Sequence, residues 1–158
     1  MATRAGIGYD IHRFAPGRAL RLGGVAFPDE TGLAGHSDAD VALHAVADAL
    51  LGAAGLGDIG DHFPPTDASW RDADSGRLLE IVVTLVARNF AIINVDVTIV
   101  GERPKIAPRR LEMRQRLAAL LRVDEHCVNV KATTNEGLGA LGRGEGLAAL
   151  AVAALEER

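Results

Sequence analysis

Asp10 and His12 flank a single residue in GYDIHRF, and His44 lies in HSDADVALHAVADAL. On a strand, alternation turns Asp10 and His12 to one face. On a helix beginning near Asp38, His44 projects as a single imidazole. Two nitrogens and one carboxylate oxygen meeting at a point make a three-ligand site with one open position. That is the pattern of a catalytic zinc ion and not of a structural one. Asp40, His44 and Asp48 are spaced four apart and share a helix face. Asp40 or Asp48 is therefore placed to accept a hydrogen bond from the distal nitrogen of His44. The same residues also read as a polar turn and a solvated acidic stripe, and spacing alone leaves both readings open.

Three further stretches have the chemistry of phosphate contact. His36 and Ser37 precede the helix, whose free N–H groups and dipole favour an anion; Ser37 reads equally well as a helix cap. In KATTNEGLGALGRGEG, Thr133 and Thr134 end a strand, and Glu136 and several glycines follow. This is a backbone-and-hydroxyl cradle without the Gly-Lys-Ser/Thr ending of a Walker A loop. A carboxylate beside a phosphate repels it unless a hard cation lies between them. Magnesium commonly binds one or two carboxylates plus substrate phosphates, so Glu136 is a candidate ligand for a second ion. The plain alternative is a glycine-rich hairpin with a surface Glu. In GERPKIAPRR, Lys105 sits between two prolines and offers a point charge to a phosphate, or belongs to an ordinary strand-to-helix connection. The long connection from Asp58 to Asp67 has the length of a functional loop. Its His62 has no evident partner. Cys127 reads as a small apolar residue, and no Ser-His-Asp grouping has a recognisable nucleophile context.

These side chains need elements to hold them. Ala5 to Phe14 reads as a strand, with Gly6 and Gly8 permitting close backbone approach. Leu20 to Phe27 reads as a short strand pair or one bent strand, and Thr31 to Ser37 as loop. Helix one begins near Asp38, capped by Ser37 or Asp38, and carries Val41, Leu43, Val46, Leu50 and Leu51. Gly52 to Asp74 is loop-rich. Ser75 caps a helix running to about Asn89. Ala91 to Val100 is a β-branched buried strand. Pro104 and Pro108 precede a helix over 109–121, and Val128 to Thr133 alternates as a strand. Propensity makes the alanine-rich segment from Glu145 to Glu156 a helix. The order predicts an α/β (α+β) fold: one domain over 1–158, a mixed four-stranded sheet and helices on one face.

Composition limits the function classes. The chain is 48% hydrophobic and 24% charged, a globular balance that argues against disorder. Its net charge of −4 argues against a nucleic-acid-binding surface. The cationic run from Arg103 to Arg122 reads as a solvated helix face or a phosphate-facing one. One cysteine excludes an internal disulfide framework and suits a reducing cytoplasm. No apolar stretch is long enough for a membrane span, and the first residues, MATRAGIGYD, have no apolar run of signal-peptide length before the charged residues begin. The expected location is cytoplasmic, with no membrane partner.

Taken in order, GYDIHRF, GHSDADVALHAVADALLGAAGLGDIGDHFPPTD, NVDVTIVGERPKIAP, NVKATTNEGLG and GRGEG resemble the 2-C-methyl-D-erythritol 2,4-cyclodiphosphate synthase family of the non-mevalonate isoprenoid pathway. The resemblance spans nearly the whole chain. It implies a metal-dependent phosphorus–oxygen lyase that cyclises 4-diphosphocytidyl-2-C-methyl-D-erythritol 2-phosphate and releases CMP. It implies a homotrimer with active sites between subunits and sheets packed around the trimer axis. Asp10, His12 and His44 would hold Zn2+ or another divalent ion and contact substrate. Glu136 would serve a Mg2+ or Mn2+ ion arriving with the substrate phosphates.

The resemblance also implies substrate contacts. His36 and Ser37 match the family's His-Ser pair, and Asp58 and Gly60 its diol-binding Asp-x-Gly. Phe63 to Asp67 match a loop that lines the substrate. Gly101 to Ala107, with Lys105, and Thr133 to Glu136 match the cytidine-diphosphate side. Arg143 matches the GRGEG arginine. His36 and Thr134 would donate to the transition state. Ala140 stands where the family often has a large aromatic, and Asn135 where it often has threonine. The alanine-rich C-terminal segment would be a strand, against its propensity. No nucleotidyltransferase domain is present, so the chain reads as monofunctional. Two other classes fit the same residues: a zinc-dependent phosphoesterase releasing inorganic phosphate, and a non-catalytic nucleotide- or isoprenoid-binding protein.

Overall fold

The computed structural model describes residues 2–158. Two long arms open the chain: β1, Thr3–Leu22, and β2, Val25–Leu33. Gly23 and Gly24 turn the chain between them, with φ of 60° and 74°, a region that glycine enters without steric cost. Beyond the hairpin come α1 (Val41–Ala54), α2 (Ile59–His62), α3 (Ser75–Val86), β3 (Phe90–Val100), α4 (Arg110–Leu121), β4 (Val128–Thr133), α5 (Gly139–Gly142) and β5 (Gly146–Glu157).

The strands form one five-stranded sheet in the order β2-β1-β5-β3-β4. All pairs are antiparallel except β3 and β4. That parallel pair needs a crossover, and α4 lies in the connection. The sheet is mixed, as the sequence predicts, but it has five strands and not four. The hairpin supplies two of the five. β1 pairs with β5 over Thr3–Arg13 and with β2 over Phe14–Leu22, so one strand does the work of two. Thr31 to Leu33, read as loop, belongs to β2.

The alanine-rich end is β5, not a helix. It lies between β1 and β3, where ladder pairing on both sides overrides intrinsic propensity. Ala149, Ala151 and Ala153 are buried along it, and α1 packs over β5 and β1. Gly6 and Gly8 allow that approach. A Cβ at either would overlap the carbonyl oxygen of Ala49 or Ala45 in α1. Almost every residue of α1 is buried, because α3 covers its other side.

Asp40, not Ser37 or Asp38, caps α1. Its Oδ1 accepts the Leu43 N–H at 3.1 Å. The fully buried carboxylate also accepts Gly23 and Gly24 N–H groups at 2.9 and 2.8 Å. It thereby ties the start of α1 to the hairpin turn. Likewise Asp74, not Ser75, caps α3.

Candidate metal and phosphate site

Strand alternation along β1 turns Gly6, Gly8, Asp10 and His12 toward α1, and Ile7, Tyr9 and Ile11 away from it. The glycines bring α1 down onto the strand, and His44 on that helix reaches the two polar side chains. His12 Nε2 lies 3.0 Å and His44 Nδ1 2.9 Å from the same oxygen, Asp10 Oδ2. The two rings stand edge to face with centroids 5.8 Å apart. Gly35 leaves space for the His12 ring; a Cβ there would meet His12 Cε1 at 3.2 Å.

Burial opposes ionisation of Asp10, but hydrogen bonds and charge from His12 and His44 outweigh it and hold the carboxyl at about 2. Burial pushes His44 down, while the Asp10 hydrogen bond and charge raise it above the ordinary imidazole value overall. Metal-free, the cluster is a carboxylate pinned between two imidazoles. Its donor set fits a divalent ion: one carboxylate oxygen and one nitrogen from each ring lie within 4.8 Å of one another. The mix of imidazole and carboxylate suits zinc, and related first-row ions also accept it.

The partner of the distal His44 nitrogen differs from the one the sequence predicts. Asp40 is occupied as the helix cap, and Asp48 Oδ1 accepts the Ile59 N–H at 2.8 Å. His44 Nε2 instead meets Ser75 Oγ at 2.9 Å and Ser37 Oγ at 3.1 Å. Ser75 comes from α3, 31 residues away in sequence, so no local spacing could point to it.

The loop before α1 sits beside this cluster. His36 Nε2 lies 3.4 Å from the Asp67 carbonyl oxygen, so His36 and the 63–67 loop share a neighbourhood. Arg18, absent from the sequence reading, braces this loop by donating to the carbonyls of Gly35 and Ser37 at 3.0 and 2.6 Å. Asp58 caps α2 with a reciprocal Asp61 bond, and Gly60 lies on that exposed turn. Phe63 is buried against Trp70, ring centroids 4.9 Å apart.

Thr133, Thr134 and Glu136 form an exposed turn at the end of β4. The Glu136 N–H donates to Thr134 Oγ1 at 3.2 Å, and Glu136 has φ of 54°. Glu102, also missed, organises this turn: its carboxylate accepts Asn135 and Gly137 N–H groups at 3.2 and 3.0 Å. Lys105 and Ala107 are exposed in the segment after β3. Ala140 lines a cleft of about 700 Å³ with Ile11, His12, Phe14, Arg103 and Gly144. Arg143 is exposed and pairs with Glu145 at 2.6 Å.

Within one chain the Thr133–Glu136 turn does not meet the Asp10–His12–His44 cluster. Thr133 lies in a cross-strand row with Val100, Ala148 and Ile11. Three inter-strand steps separate the β4 end from the Asp10–His12 strand by about 14 Å.

Comparison with known proteins places this geometry. The YgbB family model matches residues 3–156. The 2-C-methyl-D-erythritol 2,4-cyclodiphosphate synthase of Symbiobacterium thermophilum is 58% identical over 154 residues, covering 97% of this chain and 98% of that protein. The bifunctional IspDF of Campylobacter jejuni superposes with a TM-score of 0.95 at 41% identity; the match covers 99% of this chain and 43% of that one. A CDP-bound 2C-methyl-D-erythritol-2,4-cyclodiphosphate synthase gives 0.88 at 39% identity, over 97% of this chain and 100% of that one. With matches over almost its full length, the chain belongs to the YgbB family, that of the 2-C-methyl-D-erythritol 2,4-cyclodiphosphate synthases.

Proposed function

We propose that this chain converts 4-diphosphocytidyl-2-C-methyl-D-erythritol 2-phosphate into 2-C-methyl-D-erythritol 2,4-cyclodiphosphate and CMP, with positions 1–158 acting as one synthase domain. The observation that carries this reading is the convergence of His12 Nε2 and His44 Nδ1 on Asp10 Oδ2 in a member of this family. Asp10, His12 and His44 would hold zinc, and Glu136 would serve a magnesium or manganese ion arriving with the substrate phosphates. Such ions, when bound, polarise phosphate oxygens and offset the repulsion between two anionic groups.

The protein side of the reaction is positioning and charge stabilisation. The 2-phosphate attacks the β-phosphorus, the bond to the CMP oxygen breaks, and CMP leaves as the anion. The nucleophile is already ionised, so no general base is needed. His36 and Thr134 donate hydrogen bonds to the transferring phosphoryl group. Ser37, Asp58, Gly60, Phe63 and Asp67 hold the erythritol end. Lys105, Ala107, Thr133, Ala140 and Arg143 line the diphosphate and cytidine side. The span of about 14 Å between the triad and the Thr133–Glu136 turn favours sites shared by neighbouring subunits of a trimer. The single cysteine, free and partly buried, suits a reducing cytoplasm.

Incubation with the diphosphocytidyl substrate, zinc and magnesium, followed by phosphorus NMR, should give the cyclic diphosphate and CMP. Release of inorganic phosphate would point to a phosphoesterase, and binding without turnover to a carrier. His44→Ala should lower turnover by about 10³-fold or more, because the ion supplies several kcal/mol of charge stabilisation. Retained cyclisation by that variant would overturn the proposal.

A further inference from the structure

We infer that Ser75, anchored by Asp38, is a positioning residue that fixes the His44 ring with its proton on Nε2 and its Nδ1 lone pair aimed at the metal position. This rests on the reading of Asp10, His12 and His44 as a metal site.

The hydrogen-bond directions follow from atoms with only one possible role. The Ser75 N–H donates to Asp38 Oδ2 at 3.1 Å, and the Asp40 N–H donates to Asp38 Oδ1 at 3.2 Å. Both carboxylate oxygens therefore act as acceptors. The short contact between Ser75 Oγ and Asp38 Oδ1 then requires the serine hydroxyl to donate. With its only proton committed, Ser75 Oγ offers His44 Nε2 a lone pair at 2.9 Å. Two lone pairs at that distance would repel, so Nε2 must carry a proton.

Ser37 does not reverse this assignment. Its Oγ lies 3.1 Å from the same nitrogen and accepts the Ala39 N–H at 3.3 Å, so it too can accept from Nε2. Ser75 is 1% exposed, so bulk water does not compete for the bond. The consequence appears at the opposite edge of the ring. Nδ1 faces the acceptor Asp10 Oδ2 at 2.9 Å, so without an ion it too carries a proton; an ion held between Asp10 and His44 would take that proton's place, which makes Nδ1 the ligating nitrogen. Distal N–H partners commonly fix a metal-bound imidazole in this way, and their loss typically costs 10–100-fold in metal affinity.

The test is zinc affinity by chelator competition, with thermal unfolding of the same samples. Ser75→Ala and Asp38→Asn should each weaken zinc binding roughly 10- to 100-fold. Asp74→Ala removes the α3 cap, whose side chain accepts the Gly76 N–H at 2.7 Å, and leaves the relay intact. It should lower the melting temperature and bind zinc as the parent does. Equal affinity loss in Asp74→Ala would make the effect merely structural and overturn the inference, as would parental affinity in Ser75→Ala. In the zinc-loaded parent, nitrogen-15 NMR should place the His44 proton on Nε2. A proton on Nδ1 would also overturn it. His12→Ala separates the two readings: if that variant too keeps parental affinity, the metal site itself is refuted.

Discussion

Asp10 holds His44 above its ordinary value through a 2.9 Å contact, and that sets the pH dependence of metal binding. An imidazole ligates only when the ligating nitrogen has lost its proton, so an ion competes with the proton on His44. Zinc affinity should rise with pH up to the raised His44 value and flatten above it. Without metal the sign for folding is opposite. The Asp10–His44 pair stabilises the fold fully below the unfolded imidazole value of 6.5, and that contribution is lost as pH rises through the higher folded value. Zinc titrations at stepped pH, beside urea melts of the metal-free protein, should show these two opposite trends. Stability of the metal-free protein that rises over this window would contradict the pairing. At this scale the triad was half legible. Asp10-x-His12 is a local alternation on one strand. His44 needed the helix brought down on the strand. Ser75 and Asp38 gave no signal beyond capping, because their meeting with His44 depends on how α3 packs.

The approach of α1 to β1 decides whether the triad exists. Gly8 has no room for a methyl group, since a Cβ would overlap the carbonyl of Ala45, next to His44. Backbone cannot rotate aside as a side chain can. Gly8→Ala should therefore destabilise the fold by about 3 kcal/mol, the upper part of the usual overpacking range, and should weaken zinc binding as His44 is displaced. Denaturant melts with chelator competition would check both, and an unchanged midpoint would show that α1 does not rest on this glycine. The glycines at positions 6 and 8 were readable as points of close approach. The β1–β2 hairpin was legible only in part, because its Gly23-Gly24 turn also fits a bend. β5 was misleading on propensity: Ala149, Ala151 and Ala153 look helical in sequence, but their small side chains face the α1 side of the sheet.

The face of the sheet away from α1 has two characters. On β3 and β4 it is polar, with Lys131 bonded to Asp96 at 2.6 Å. On β1 and β5 it is apolar: Ile7 pairs across strands with Val152 and Tyr9 with Leu150, and these side chains are 69%, 47%, 54% and 40% exposed. Contiguous exposed apolar surface marks an interaction site, and here it flanks the strand that carries Asp10 and His12. Packing of this face between subunits is the proposed way to close the gap of about 14 Å between the triad and the Thr133–Glu136 turn. Val152→Asp should then yield monomers by light scattering, with turnover lost although zinc still binds. A mixed-subunit experiment tests the sharing directly. His12→Ala chains lack a triad and Glu136→Ala chains lack the turn carboxylate, so each alone should be inactive. Unfolded together at equal amounts and refolded, random assortment around a threefold ring gives about one quarter of interfaces an intact triad facing an intact Glu136. Turnover should recover to about that fraction of the parent. If each site lay within one chain, every site in the mixture would carry one lesion and no activity would return.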